Sequence, residues 1–176
     1  MPARYTRTAI LLHWLIALTM LGLLGVGLYM TDLKLSPAKL KLYSWHKWAG
    51  VTVFALALLR LAWRALHTPP PMPQAMPAWQ RRGAEAAHAV LYLLMFIIPL
   101  SGWLMSSAKG VQTVWFGVLP LPDLLAKDKQ LGHFLEEVHA SLCYGLMALL
   151  VMHIGAALKH HFIDRDDVLT RMLPHR

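Results

Sequence analysis

The sequence predicts an all-α integral membrane protein, a four-helix bundle in which the whole chain, residues 1–176, forms one domain. Three observations predict it. The 176 residues are 57% hydrophobic, with a mean hydropathy of +0.46, too apolar for an ordinary soluble domain. The apolar residues gather into four blocks, about 10–30, 44–66, 84–106 and 138–161. Each block has the roughly 20 helical residues that cross a hydrocarbon core of about 30 Å. The period-2 alternation of a membrane barrel, the other structure able to span a bilayer, is absent.

The first block follows Arg4 and Arg7 and is too long for a signal-peptide core; no small-x-small cleavage site follows it, so it reads as a retained first span. Residues 31–43 (TDLKLSPAKLKLY) form a short loop before the second span. Residues 67–83 (HTPPPMPQAMPAWQRRG) are proline-rich and cannot continue a helix. Residues 107–137 form the longest loop, with a short surface helix expected in PLPDLLAKDKQLGHFLEE. Trp14, Trp45, Trp48 and Trp103 lie near span ends, where an aromatic belt sits.

The net charge of +8 does not indicate nucleic acid, because the cations are spread over span ends and loops, where anionic lipid and topology account for them. Every arginine, from Arg4 to Arg176, falls with Lys159 on the side of the termini and second loop. The remaining lysines, Lys34, Lys39, Lys41, Lys47, Lys109, Lys127 and Lys129, fall on the other. This bias predicts an inner-membrane protein with both termini cytoplasmic. The one cysteine, Cys143, sits mid-span, where it packs. Without a C-x-x-C-H, covalent c-type haem is excluded.

The fourth span carries histidines at both ends. His139 and His153 are 14 residues apart, about 21 Å along a helix and just under four turns, so both face nearly the same way. His13 lies in the first turn of the first span and His46 near the start of the second. Depth therefore pairs His46 with His139 and His13 with His153. Ionisable residues inside a membrane are costly and functional by default. Two neutral imidazoles facing each other across a bundle suit bis-histidine ligation of haem b. The expectation is a bundle enclosing two b-type haems, with His13, His46, His139 and His153 as iron ligands. Gly50, Gly145 and Gly155 are candidates for close approach of a macrocycle. A lone histidine at a span end is more often interfacial, but four paired by depth are not lone. Zinc needs about four ligands at one point, and these split between two depths. A proton relay stays open.

His88 starts the third span near the depth of His13 and His153. It reads as an alternative ligand, a propionate contact or a snorkelling residue. His67, His133 and His175 read as solvated. His160 and His161 lie two turns past His153 beside Lys159, either as a cationic helix cap or as a quinone site. His160, seven residues from His153, is the preferred quinone contact.

The segments YTRTAILLHWL (5–15), WHKWAG (45–50), HTPPPMP (67–73), HAVLYLLMFIIPLSGWLM (88–105), VHASLCYGLMALLVMHIGAALKHHF (138–162) and LTRMLP (169–174) resemble the bacterial cytochrome b561 family over essentially the whole chain. The likeness is nearest to small dihaem members that pass electrons from superoxide to ubiquinone. That resemblance implies an inner haem on His13 and His153, an outer haem on His46 and His139, and ubiquinone near His160. Filled axial positions would leave electron transfer as the chemistry. Lys34, Lys39, Lys41 and Lys47 form a basic cluster near His46 that would steer an anion or bind headgroups. The expected partners are membrane lipid, superoxide and ubiquinone, with no obligatory protein partner. The alternative is a cytochrome b anchor carrying electrons between a partner dehydrogenase or hydrogenase and quinone.

Overall fold

The computed structural model describes residues 4–73 and 76–174. Four helices traverse the bundle in alternating directions: α1 (Arg7–Asp32), α2 (Pro37–Leu66), α3 (Ala78–Ala108) and α4 (Lys129–Lys159). Each is long and apolar enough to cross a membrane. α1 packs chiefly on α2 and α3 on α4, and α2–α3 contacts join the two pairs. One end, the terminal end, gathers the start of α1, the α2–α3 loop and the C-terminal tail. There Trp14 Nε1 donates to Met172 O (2.7 Å) and Arg171 donates to Pro71 O (2.5 Å). The other end carries the α1–α2 turn and the α3–α4 loop.

Three of the helices outrun their apolar blocks because polar caps, not hydropathy, set their starts, while α3 begins after Pro77 without a side-chain cap. Thr6 Oγ1 accepts from Ala9 N, Ser36 Oγ from Lys39 N with Pro37 behind it, and Asp128 Oδ1 from Leu131 N. The first loop shrinks accordingly to residues 33–36. Lys39 Nζ reaches back to Thr31 O and Leu33 O, supplying the cation that the last turn of α1 lacks. The surface helix expected within 120–137 does not form separately. Its 129–137 portion is the opening of α4, started by the Asp128 cap, and its earlier portion is non-helical.

The loop before Asp128 holds a small hairpin, β1 (Val114–Trp115) antiparallel to β2 (Leu119–Pro120). Phe116 (φ 50°) and Gly117 (φ 72°) make its tight turn. The hairpin is fastened to α2: Trp48 Nε1 donates to Val114 O (2.6 Å), Lys47 Nζ to Val111 O (3.1 Å), and Trp115 Nε1 to Trp48 O (3.3 Å). Trp103 Nε1 holds Pro122 O (3.0 Å). Three of the four belt tryptophans thus also staple loops to helix ends, while Trp45 is exposed under Lys41.

The packed core is a mid-bundle layer of Ile16, Met20, Val53, Ala57, Leu91, Met95 and Leu146, drawn from all four helices. Outward positions stay apolar and exposed, among them Leu18, Leu58, Leu93 and Val151, as lipid contact requires. Past Lys159 the chain widens into a π-helical turn, His160–Asp164. It is closed by left-handed Arg165 (φ 53°), whose N–H returns to His160 O. The fourth α-helix therefore ends two residues before the expected 161.

Candidate functional site

The structure brings the histidines together in two groups, one toward each end, with the core layer between them. Toward the hairpin end, His46 (α2) faces His139 (α4), ring centres 6.4 Å apart and planes at 76°. Toward the terminal end, His13 (α1) faces His153 (α4), centres 6.3 Å apart and planes at 62°. His88 (α3) joins the second group, 5.4 Å from His153. Leu146, midway between His139 and His153 on α4, belongs to the core layer that separates the levels.

His139 is held in one tautomer. Its Nδ1 lies 3.1 Å from Ile98 O and 2.9 Å from Ser101 Oγ. A carbonyl only accepts, so Nδ1 carries the proton and donates, which leaves Nε2 as the free ligating nitrogen. Ser101 is itself anchored, donating to Ile98 O (2.8 Å). His46 has no such partner: its Nδ1 is buried and unpaired among the described residues. Both rings lie against glycines that sequence reading missed. A Cβ at Gly102 would stand 3.2 Å from His139 Cε1, and one at Gly27 3.4 Å from His46 Cε1. Gly50 lines the adjoining cavity, and added Cβ atoms at Gly50, Gly145 and Gly155 alike would meet open space. That cavity, about 250 Å³, is walled mainly by apolar residues such as Leu24, Val53, Met95 and Met147, with Lys47, Glu136 and Thr113 also lining it.

The fit to a metal macrocycle can be tested on the spacing. Two imidazoles on opposite sides of one metal, each with a metal–nitrogen bond of about 2 Å, have ring centres roughly 6.3 Å apart. The His13–His153 and His46–His139 separations meet this; His88–His153 is too short by nearly an ångström. An unpaired buried imidazole nitrogen and a largely apolar cavity beside it fit the same group. Zinc does not suit the hairpin-end pair, which offers two imidazoles rather than about four converging ligands.

His160 opens the π-helical turn, with its own N–H still bonded to Ala156 O at the end of α4. Its Nδ1 donates to Asp166 Oδ2 (2.6 Å) and lies 3.2 Å from Asp164 Oδ2. Asp166 is oriented in turn by Val168 N on Oδ1 (3.0 Å), and Lys159 Nζ neutralises Asp164 (2.6 Å). The ring is largely covered, and its Nε2 is the nitrogen left for a ligand. His161 packs edge-on against Phe162. The carboxylate partners were missed in sequence; the available signal was aspartate four and six residues after a histidine at a helix end.

His133 is exposed, as expected, but stands on the first turns of α4 beside Glu136 (3.5 Å). His67 is exposed yet stacked on Trp63, 3.9 Å apart at 8°. His175 lies outside the described residues. Of the expected basic cluster, Lys47 lines the cavity of His46, Lys39 caps α1 and Lys41 covers Trp45. Lys109 pairs with Glu136 (2.8 Å) at the same end.

The family model described as prokaryotic cytochrome b561 matches residues 4–175. Cytochrome b561 homolog 2 of Escherichia coli (strain K12) is 38% identical over 98% of this chain and 92% of its own length. Cytochrome b561 homolog 1 of the same organism is 32% identical, covering 98% of each chain. A probable superoxide oxidase, CybB, of Yersinia pestis is 26% identical over 100% of this chain and 99% of its own.

Proposed function

Because the chain belongs to the prokaryotic cytochrome b561 family of membrane electron-transfer proteins, whose members bind b-type haem, we propose that it is a two-haem oxidoreductase passing electrons from superoxide to ubiquinone. The observation that carries this reading is the pair of opposed imidazoles at each level, 6.3 and 6.4 Å apart. His13 and His153 would hold one haem b, and His46 and His139 the other. Each haem, held by its two histidines, would supply a one-electron iron couple.

The chain's own residues do the rest. Lys47, beside the His46 cavity, attracts the superoxide anion to the hairpin end. The hairpin, tied to Trp48 and Lys47, covers that end. At the terminal end His160 Nε2 faces a quinone carbonyl, with Nδ1 fixed by Asp166. The balance is two superoxide anions, one quinone and two protons giving two dioxygen molecules and one quinol. The arginine-rich terminal end faces the cytoplasm, so the protons are drawn from that side.

The test is a visible spectrum of the purified, oxidised protein mixed with superoxide, with and without ubiquinone. Reduced haem b bands should grow rapidly and decay when ubiquinone is added. Bands that respond to dithionite but ignore superoxide would instead assign the chain as a membrane anchor for a partner dehydrogenase or hydrogenase. Steering by Lys47 predicts that the superoxide rate falls steeply with salt; a salt-independent rate removes that role. Ser101→Ala should weaken haem retention at the His139 level about tenfold and raise its midpoint potential, since Nδ1–H loses one of two acceptors. A redox titration of the variant checks this.

A further inference from the structure

The Tyr92 ring on α3 carries two guanidiniums from α2, with Arg60 and Arg64 each 6.0 Å from its centroid. Arg60 is fixed by Nε donating to Tyr92 OH (3.0 Å) and Nη1 donating to Ala9 O (3.0 Å). Arg64 makes no hydrogen bond among the described residues, and neither arginine is paired with a carboxylate there. One aromatic face attracts a cation, but two like charges beside it repel each other. An oxyanion between them would relieve that repulsion and accept their remaining N–H groups in forked geometry.

The surroundings fit such a ligand. Arg60, Arg64 and Tyr92 line a cleft of about 50 Å³ with Arg4, Thr6 and Trp63, and among the described residues no acidic side chain lines it. Its wall is braced by Trp63 Nε1 donating to Thr6 Oγ1 (2.8 Å) and by His67 stacked on Trp63. The cleft lies between the first turn of α1 and the last turns of α2, where a span meets the headgroup layer. Among the described residues, no residue of α4 and none of the paired histidines lines it. Basic pockets between helices at this depth suit anionic headgroups. We propose that Arg60 and Arg64 form a binding site for the phosphate of an anionic phospholipid.

The experiment is native mass spectrometry of the haem-loaded full chain in detergent, titrated with phosphatidylglycerol, phosphatidylcholine or inorganic phosphate. The wild type should bind phosphatidylglycerol in preference to phosphatidylcholine. Arg64→Gln should weaken the tightest phosphatidylglycerol adduct about tenfold with haem content unchanged. Arg64 is exposed and unbonded, so this variant folds even if Arg60→Gln, which breaks two hydrogen bonds, does not. Equal affinity of wild type and Arg64→Gln for phosphatidylglycerol would overturn the proposal. So would occupation by inorganic phosphate alone with the same Arg64 dependence. A shift of haem midpoint potential in Arg64→Gln without loss of lipid would also overturn it, assigning the guanidinium to haem carboxylates.

Discussion

His46→Ala and His139→Ala are each expected to leave purified protein with about half the haem b of the wild type, and His13→Ala and His153→Ala likewise. The two groups should lose different halves, distinguishable by midpoint potential in a redox titration. A loss on this scale follows from the ligand geometry: removing one of two opposed imidazoles leaves its partner, 6.3 or 6.4 Å away, with no second hold on the iron. Because the core layer separates the levels, emptying one should leave the other loaded. His88→Ala should keep the full haem content, since its 5.4 Å spacing to His153 is too short to span a metal. If His88→Ala lost the haem that His13→Ala kept, the ligand at the terminal end would be His88 instead. The sharpest contrary result would be full haem content in all four single variants.

The long-range features of this site could be read from the sequence because they follow from helix period and depth alone. Fourteen residues between His139 and His153 return a side chain to one face, and alternating spans fix which partners share a level. His46 and His13 meet them as that reasoning expects. What hydropathy could not show lies where polar caps and tertiary contacts decide. Asp128 starts α4 nine residues before its apolar block, which converts an expected loop helix into the first turns of a span. The hairpin depends on Trp48 and Lys47 reaching backbone carbonyls more than sixty residues away. Ser101 and Ile98 O, which orient His139, sit on a neighbouring helix with no sequence spacing to announce them. Glycine was the right residue type to seek, but Gly27 and Gly102 prove to be those against the rings because helix rotation, not proximity in sequence, selects the face.

The π-helical turn sets the second large prediction. His160 keeps the α-helical register, its N–H on Ala156 O, and so stays near the face of His153; the wider turn that follows folds Asp164 and Asp166 back onto its Nδ1. An imidazole held this way presents Nε2 in a fixed direction and, when both ring nitrogens carry a proton, can pass the one on Nε2 to a quinone oxygen while Asp166 steadies the ring. His160→Ala should therefore slow quinone reduction by about 100-fold, the range for a lost proton donor. Asp166→Asn should slow it by roughly tenfold, and Asp166→Glu should recover most of the loss. Reduction by superoxide at the opposite end should be unchanged in all three, so stopped-flow measurement of the two half-reactions separates a local role from misfolding. An effect of Asp166→Asn confined to the KM for quinone would leave the pair with binding alone. Equal slowing of both half-reactions would reduce it to a structural clasp on the C-terminal tail. The arrangement favours the role in proton delivery: Val168 N holds Asp166 Oδ1 and Lys159 Nζ bonds both Asp164 oxygens, so the Asp166 oxygen facing His160 has that ring as its partner.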